Sequence, residues 1–380
     1  MAHIFVANLL VWYTLNRLRT YARARLLSYV LPVNLLILGV IFSSNALLRE
    51  SLSYSLYLAC AAATLFVSYV VTTRVRHANP KLRHVIIPIG DIGKVLKSAG
   101  FQEVSDADSL EGLIKDGKIT GSIVADLHHD HTPEWERLLA AAALKGVPVY
   151  HYRLIEEALT GEVRINHLRE NDLGSLIPNT AYRTAKRVFD VAMVVLLSPL
   201  LLIGGIAIAA LIKLDSKGNV FFFQERIGYR GEEFRMVKFR TMRDRKIADT
   251  TDARRDDAIT KDGDQRITRI GSFLRKTRMD ELPQAWNVLI GDMSWIGPRP
   301  EARQLAEWYE GEIPFYTYRH IVRPGITGWA QVNQGHVADL DSIQQKLRFD
   351  FFYVKNLSLW LDILIGLKTV RVIIGGIGAK

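Results

Sequence analysis

The sequence predicts a membrane protein of mixed class: a transmembrane helical hairpin, a small parallel α/β domain, and a basic C-terminal domain carrying a further apolar helix. Three observations carry that prediction. Two uncharged runs, 26–48 and 51–71, are each near the roughly 20 residues needed to cross a bilayer. Between residues 79 and 178, short strand-like apolar runs alternate with helix-like segments. From residue 179 onward, a third apolar run broken by a proline precedes a region dense in arginine.

The N-terminal part, 1–78, is read as the hairpin. Only Arg49 and Glu50 separate its two spans, LLSYVLPVNLLILGVIFSSNALL and SLSYSLYLACAAATLFVSYVV. Arg17, Arg19, Arg23 and Arg25 precede it, and Arg74, Arg76, Lys81 and Arg83 follow. Positive charge concentrates on the cytoplasmic side of membrane segments, so both ends of the hairpin are expected there. No small-residue cleavage site follows the first span, so an anchor is expected rather than a removed leader. The single cysteine, Cys60, excludes an internal disulfide framework and fits a reducing compartment.

The middle stretch, 79–178, reads as a Rossmann-like α/β domain. RHVIIPIGDIGKVLKSAG has the pattern of a strand, a turn holding Gly90 and Gly93, and a helix. GSIVADL and GVPVYHY supply further strands, and such alternation implies a parallel sheet. A nucleotide fingerprint wants Gly-x-Gly-x-x-Gly at the first turn, and this turn lacks the first glycine. Packing, dimer contacts or regulation is therefore the expected role. The histidines of HHDH, His128, His129 and His131, read as a solvated loop with no matching ligand set.

The third apolar segment, within a helix expected over about 187–213, behaves differently. It reads VAMVVLLSPLLLIGGIAIAALI, with Arg183, Lys186 and Arg187 before it and Lys213, Lys217 and Arg226 after it. A crossing would strand the whole basic C-terminal region on the outer face. Ser198-Pro199 lies near its middle, and proline removes a backbone donor and kinks a helix. A re-entrant helix that enters and leaves by one side is the expectation, with Ser198 a candidate partner for a freed carbonyl. At the C-terminal end, Leu357, Trp360, Leu361, Leu364 and Leu367 recur at helical spacing. That stripe fits an interfacial helix or one packed on a soluble core.

The formal net charge of +10 suits nucleic acid, an anionic membrane surface or a phosphorylated substrate. No helix-turn-helix, zinc-ligand spacing or aromatic RNA-binding signature is present, so no nucleic-acid partner is expected. The cations cluster in the manner of a phosphate site. VKFRTMR holds Lys238, Arg240 and Arg243; RKTRMDELP holds Arg275, Lys276 and Arg278; IGPRPE fixes Arg299 between two prolines; VRPGITG holds Arg323 in a glycine-rich loop read as approaching a ligand. Arginine's planar fork grips phosphate oxygens bidentately. Beside these cations stand adjacent carboxylates, Asp280 and Glu281. On a regular helix, neighbouring side chains point about 100° apart, so both acids face one site only where the backbone leaves helical geometry. Pro283, which disfavours the helical conformation for Leu282, marks the expected break. One carboxylate suits attack on phosphorus, the other suits Mg²⁺, and the arginines suit charge developing on phosphoryl oxygens. The acid-rich run DTTDARRDD reads as a mobile charged loop.

FFFQERIGYRGEEFRMVKFRTM, DQRITRIGSFLRKTRMDELPQAWNVLIGDMSWIGPRPE and VRPGITGWAQVN closely resemble the bacterial sugar transferase family, the monotopic phosphoglycosyl transferases acting on polyprenyl phosphate. The resemblance runs from about Arg183 onward, within a catalytic domain of 179–380. The longer architecture resembles enzymes that initiate O-antigen, capsule or exopolysaccharide synthesis, with two N-terminal spans here where four are usual. The resemblance implies that Asp280 attacks the β-phosphate of a UDP-sugar, that UMP leaves, and that undecaprenyl phosphate takes the sugar-phosphoryl group. It implies that Glu281 helps hold Mg²⁺ and that Lys238, Arg275 and Arg299 lie near the phosphates. It also places Ser198-Pro199 at the break of a re-entrant helix, makes the C-terminal helix interfacial, and rests the catalytic domain on the cytoplasmic face of the inner membrane among anionic lipids. After VN the chain departs from many relatives, which leaves Gln334, His336 and Arg348 as candidates for sugar choice. Two other readings stand beside this one. A membrane-anchored nucleotide-sugar dehydratase or epimerase predicts a Gly-x-Gly-x-x-Gly turn and a Tyr-x-x-x-Lys pair, neither evident in the middle domain. A non-catalytic scaffold leaves Asp280-Glu281 and Pro-Arg-Pro unexplained. The transferred sugar is left open, and a homodimer through the middle domain is a hypothesis.

Overall fold

The computed structural model describes residues 2–18, 26–47, 54–78, 85–92, 96, 101–119, 121–164, 180–243, 264, 266–334 and 340–374. They form two compact units, Met1–Gly161 and Glu162–Lys380.

The first unit begins with three packed helices, α1 (Ala2–Leu18), α2 (Leu26–Leu47) and α3 (Tyr54–Ala78). The sequence reading has only α2 and α3. The added α1 buries Ala7, Val11 and Leu15, and Asn8 donates to Thr64 Oγ1 of α3 at 3.1 Å. At 17 residues α1 is shorter than the roughly 20 by which a span is recognised, so a length criterion passes over it although it is apolar. Within α3, 57–74 is long and apolar enough to cross a membrane.

The α/β part follows. Strands β1 (Val85–Ile86), β2 (Gln102–Glu103), β3 (Ile123–Ala125) and β4 (Val149–His151) make a parallel sheet in the order β2-β1-β3-β4. Side chains alternate across a strand. Accordingly Val85, Ile87, Ile123 and Ala125 pack with Leu110, Ile114 and Trp135, while Ile86 and Val124 pack with Leu96 and Tyr152. Helix α4 (Ala107–Lys115) starts where Asp106 accepts from Ser109 N, α5 (Pro133–Leu144) starts at a proline, and α6 (Tyr152–Thr160) ends at the left-handed Gly161. The HHDH histidines are not simply solvated: His128 Nδ1 lies 2.8 Å from His151 Nε2, at the end of the neighbouring strand.

In the second unit, α7 (Thr180–Asp215) carries the proline-broken apolar run. Pro199 cannot donate to the carbonyl four residues back, and Ser198 Oγ donates to that carbonyl, Val195 O, at 2.7 Å. Leu196, Leu200, Leu202, Ile203 and Ile206 are exposed, each by 65% or more. The other face is in the core at both ends. Near the start, Val194 packs with Met236, Val288 and Met293; near the finish, Ile208 and Ile212 pack with Phe239 and Leu274.

Onto that face sit an antiparallel hairpin, β5 (Phe221–Ile227) and β6 (Glu233–Phe239), then α8 (Arg269–Thr277), a 3-10 turn (Met279–Glu281) and α9 (Gln284–Ile290). Next come β7 (Ser294–Ile296), α10 (Arg303–Glu312), a 3-10 segment (Tyr316–Ile321) and β8 (Gly325–Thr327), which pairs parallel with β7. Helices α11 (Trp329–Gln334), α12 (Leu340–Lys355) and α13 (Leu359–Ile374) complete the unit. The leucine stripe of α13 is core: Leu361 and Leu364 are fully buried, as Leu357 nearly is, whereas Leu359, Val370 and Ile373 are exposed. Asp362 of α13 anchors the start of α7 by accepting from Lys186 Nζ and Tyr182 Oη, both at 2.6 Å.

Candidate active site

Helix α8 stops because Arg278 adopts the left-handed conformation at φ 58°, and the chain then makes the 3-10 turn that carries Asp280 and Glu281. The expected break at Leu282 does not occur. Leu282 is helical at φ −52°, ψ −38°, and Pro283 opens the next helix, where its missing N–H leaves nothing unpaired. The departure from helical geometry that brings both acids to one site therefore lies on the N-terminal side of the pair.

Glu281 is buried, and its Oε1 accepts from Arg299 Nη2 at 2.8 Å, with Lys238 Nζ at 3.9 Å. Burial alone would raise its pKa, but Arg299 and then Lys238 outweigh it and hold the carboxyl down at about 2. Asp280 moves the other way: burial and the charge of Glu281 raise it, against Lys238, Arg299 and Arg275. Lys238 sits on β6, where burial, followed by Arg299, lowers its ammonium to about 7 despite Glu281. Arg275 closes the far side; burial lowers it, while Asp280 and Asp264 pull it up. A buried anion and a carboxyl with a raised pKa thus share one turn, faced by cations from β6, α8 and the Pro-Arg-Pro loop.

The frame around the turn is built from groups that sequence reasoning missed. Asn287 of α9 accepts from Val237 N at 3.1 Å and donates to Arg235 O at 2.8 Å, fixing β6 beside Lys238. Arg319 donates to Arg299 O at 2.7 Å and pairs with Asp350 at 2.8 Å. Arg226 donates to Pro300 O at 2.8 Å, and Glu301 receives Lys346 and Arg319. The Pro-Arg-Pro loop is therefore held from behind by an ion-pair network while its guanidinium faces Glu281. Most of these pairs join elements far apart in sequence, β5 and the 3-10 segment to the Pro-Arg-Pro loop and that loop to α12, so a local reading does not bring them together.

Other expected residues lie elsewhere. Arg240 is buried and turns to the carbonyls of Lys217 and Ser216 at 2.9 Å each, so it closes the loop after α7. Gly218, at φ 123°, makes room, since a Cβ there would lie 1.8 Å from Arg240 Nη1. Arg323 donates to Gly291 O at 2.9 Å and lies over the Tyr229 ring, in a small pocket with Arg183, Lys186, Arg187 and Asp190. The glycines near Arg323 serve backbone packing: a Cβ on Gly325 would meet Gly297 N at 2.1 Å, and one on Gly328 would meet Gly297 O at 2.1 Å. Gln334 donates to Ser342 O at 2.8 Å, and the carbonyl of Arg348 on α12 accepts from Val163 N at 3.1 Å. His336 and the 249–257 run lie outside the described residues.

Adjacent oxygen donors are the set that fits Mg²⁺, which typically takes one or two carboxylates together with substrate phosphates. Glu281 and Asp280 supply such a pair, with Glu281 held ionised.

An exposed apolar helix and a paired-carboxylate turn ringed by cations make an arrangement suited to an enzyme that handles anionic substrates. The sequence profile of the family described as bacterial sugar transferase matches residues 181–376, and this chain belongs to that family. It is 42% identical to the UDP-N-acetylgalactosamine-undecaprenyl-phosphate N-acetylgalactosaminephosphotransferase of Aeromonas hydrophila, over 99% of this chain and 86% of that one. It is 44% identical to the UDP-glucose:undecaprenyl-phosphate glucose-1-phosphate transferase of Xanthomonas campestris pv. campestris, over 56% of this chain and 43% of the relative. It is also 34% identical to the UDP-galactose-lipid carrier transferase of Erwinia amylovora, over 62% of this chain and 49% of that one.

Proposed function

We propose that the protein transfers a sugar-1-phosphate from a UDP-sugar to undecaprenyl phosphate and releases UMP, as the first membrane step of a surface polysaccharide or glycoconjugate. The observation that carries this reading is the turn itself, where a carboxyl with a raised pKa faces Lys238 and Arg299 beside a fixed anion.

The reaction runs in two displacements. A carboxylate oxygen of Asp280 attacks the β-phosphorus of the donor, the bond from that phosphorus to the bridging oxygen breaks, and UMP departs with the electron pair. The product is a sugar-phosphoryl-aspartate, so one transfer is divided into two easier ones. A phosphate oxygen of the polyprenyl acceptor then attacks the same phosphorus, and Asp280 leaves as a carboxylate. Lys238, Arg275 and Arg299 offset charge on the phosphoryl oxygens throughout. Glu281 would help hold Mg²⁺, which neutralises diphosphate charge when bound. Arg299 and Lys238 fix Glu281 so that its free carboxylate edge stays in place.

Access for a lipid acceptor is supported by the apolar rim of the site. Phe273, Met279, Trp286 and Ile290 on α8, the turn and α9 are all exposed beside the acidic pair. Exposed aromatic and aliphatic groups of this kind sit well at a headgroup boundary, and the chain's net positive charge favours anionic lipids. The domain is read as resting on the cytoplasmic face of the inner membrane, with α7 re-entrant, because both ends of α7 pack into the same unit. The parallel α/β part is read as a Rossmann-like regulatory or dimerising module. The Aeromonas relative, matched over nearly the whole chain, makes an N-acetylhexosamine donor the first to try. Gln334, His336 and Arg348 are carried as candidates for sugar choice.

The test is UMP release from a panel of UDP-sugars, with and without undecaprenyl phosphate and Mg²⁺. Asp280→Asn is expected to lose at least about 10⁴-fold in rate, and acid-quenched wild type is expected to carry label from a β-³²P donor on protein. Full activity in the variant overturns the covalent step. No release with any donor, in folded membranes, leaves a scaffold as the better account.

A further inference from the structure

We propose that the α/β part of the first unit contains a divalent transition-metal site, best matched to Zn²⁺, built from Asp126, His128 and His151. It lies outside the transferase unit and plays no part in the chemistry above.

The register of the sheet assembles it. Ala125 at the end of β3 pairs with His151 at the end of β4, so the residue after β3, Asp126, emerges beside the His151 ring. His128 follows two positions later on the turn. The carboxylate oxygen and the two ring nitrogens all lie within 4.8 Å of one another. His151 Nε2 is 2.8 Å from His128 Nδ1 and 3.6 Å from Asp126 Oδ1. Ligands about 2.0–2.1 Å from a tetrahedral ion stand about 3.3 Å apart, so the two separations from His151 are within about half an ångström of that spacing and the third, no more than 4.8 Å, has at most about 1.5 Å to close.

The carboxylate is positioned by its surroundings. Asp126 is buried, Oδ2 accepts from Asp91 N at 3.0 Å, and Oδ1 accepts from His128 N at 3.2 Å. Gly90, at φ 86°, permits this approach, since a Cβ there would meet Asp126 Oδ2 at 2.7 Å. His131 Nε2 is 2.8 Å from the Asp126 carbonyl and ties down the far end of the turn. Groups that orient the ligands of a metal in this way are a usual part of such sites. The His128 side is exposed, leaving a fourth position open to water or an anion. The location also fits, because open parallel sheets bind ligands beyond the carboxyl ends of their strands.

Two imidazoles and one carboxylate select zinc and its neighbours over magnesium, which prefers an all-oxygen set. The competing account is that His151 only caps α6, since its Nδ1 accepts from Arg153 N at 3.2 Å. That bond puts the ring proton on Nε2 in the metal-free state. Loading requires the proton on Nδ1, so the cap bond is given up and metal uptake is coupled to the first turn of α6.

The experiment uses the full chain in detergent, stripped with a chelator and titrated with Zn²⁺ against a chromophoric competitor. Excess Mg²⁺ is present to occupy oxygen-only sites. Wild type should bind one zinc per chain, and cobalt in its place should give the visible absorption of a tetrahedral N/O site. His128→Ala, a change at an exposed ring, and His151→Ala should each weaken zinc by more than about 100-fold, with circular dichroism and UMP release unchanged. Wild type that takes up no zinc overturns the proposal, as does binding that persists unaltered in both variants.

Discussion

At the scale of single residues, the site is governed by three ionisations that burial and neighbouring charge separate. Lys238 is drawn down to about 7, Glu281 to about 2, and Asp280 is pushed up from the usual carboxylate range. A nucleophilic carboxylate works only when ionised, so a raised Asp280 moves the acidic limb of kcat/KM to higher pH than an ordinary aspartate, near 3.9, would give. On the proposed mechanism the basic limb is expected from Lys238, whose ammonium burial and Arg299 lower to about 7, so kcat/KM for the donor should fall as pH rises through that value. Lys238→Arg should carry that limb beyond about pH 10, and Lys238→Met should cost about 10²–10³-fold in kcat. The pH profile of UMP release checks both; a basic limb at the same pH in Lys238→Arg would assign it to another group. Ser198 offers a second test. Its hydroxyl serves the carbonyl that Pro199 orphans, so Ser198→Ala should destabilise the membrane-embedded fold by about 1–3 kcal/mol while leaving chemistry in the folded fraction intact.

At the scale of elements, the Pro-Arg-Pro loop depends on what lies behind it. Arg319 is buried between Asp350, Glu301 and the Arg299 carbonyl. Arg319→Met should leave Asp350 and Glu301 with less compensation, costing about 3–5 kcal/mol in denaturant unfolding. It should also let the Arg299 guanidinium drift from Glu281, lowering kcat in the folded fraction by about 100-fold. Stability lost with kcat untouched would show that the network supports the fold but not the loop. This brace also marks the limit of what sequence conveys. Asp280, Glu281, Arg275 and Arg299 are legible because their charges are packed into short runs beside prolines. Glu301 and Arg226 fall within the motifs IGPRPE and FFFQERIG, but nothing in the sequence pairs them with Arg319, Asp350 or Lys346, and only the tertiary fold makes these neighbours. Arg240 shows the converse: two positions from Lys238, the pleat would put both on one face, yet Arg240 lies past the end of β6 and its guanidinium goes to the carbonyls of Ser216 and Lys217, where Gly218 makes room. The parallel α/β pattern was readable from alternating apolar runs, whereas helix α1 was not, because its 17 residues fall short of the roughly 20 by which a span is recognised. His151 and Asp126 escape for the reason Arg319 does, since strand register sets them side by side.

At the scale of the whole molecule, the question is which side of the bilayer each end of α7 occupies. A straight helix rises about 1.5 Å per residue, so an apolar run as long as 191–212 reaches across the hydrocarbon core if it is upright. A crossing would set residues 186–190 and 208–215 on opposite faces. Yet Lys186 is paired to Asp362, Trp295 Nε1 donates to the carbonyl of Asp190, and Ile208 and Ile212 pack against Phe239 and Leu274, all within one compact unit. Asp215 adds a bond from Ile270 N at 3.2 Å. A folded unit that holds both ends of the helix fits the proposed re-entrant reading, in which the exposed leucines and isoleucines dip into one leaflet and return. In a Cys60→Ala background, cysteines placed at Thr180 and Lys217 should both react with an impermeant maleimide in inverted membrane vesicles and both resist it in intact spheroplasts. Labelling of Lys217→Cys from the outside, with Thr180→Cys still labelled only from within, would make α7 an ordinary span and would require the packing at one of its ends to be wrong. Replacing Pro199 by leucine tests the same geometry from the other direction. Leucine would restore a backbone donor to Val195 O, and on the re-entrant reading the expected result is loss of membrane-assembled, active enzyme rather than a change in the pH limbs assigned to Lys238 and Asp280.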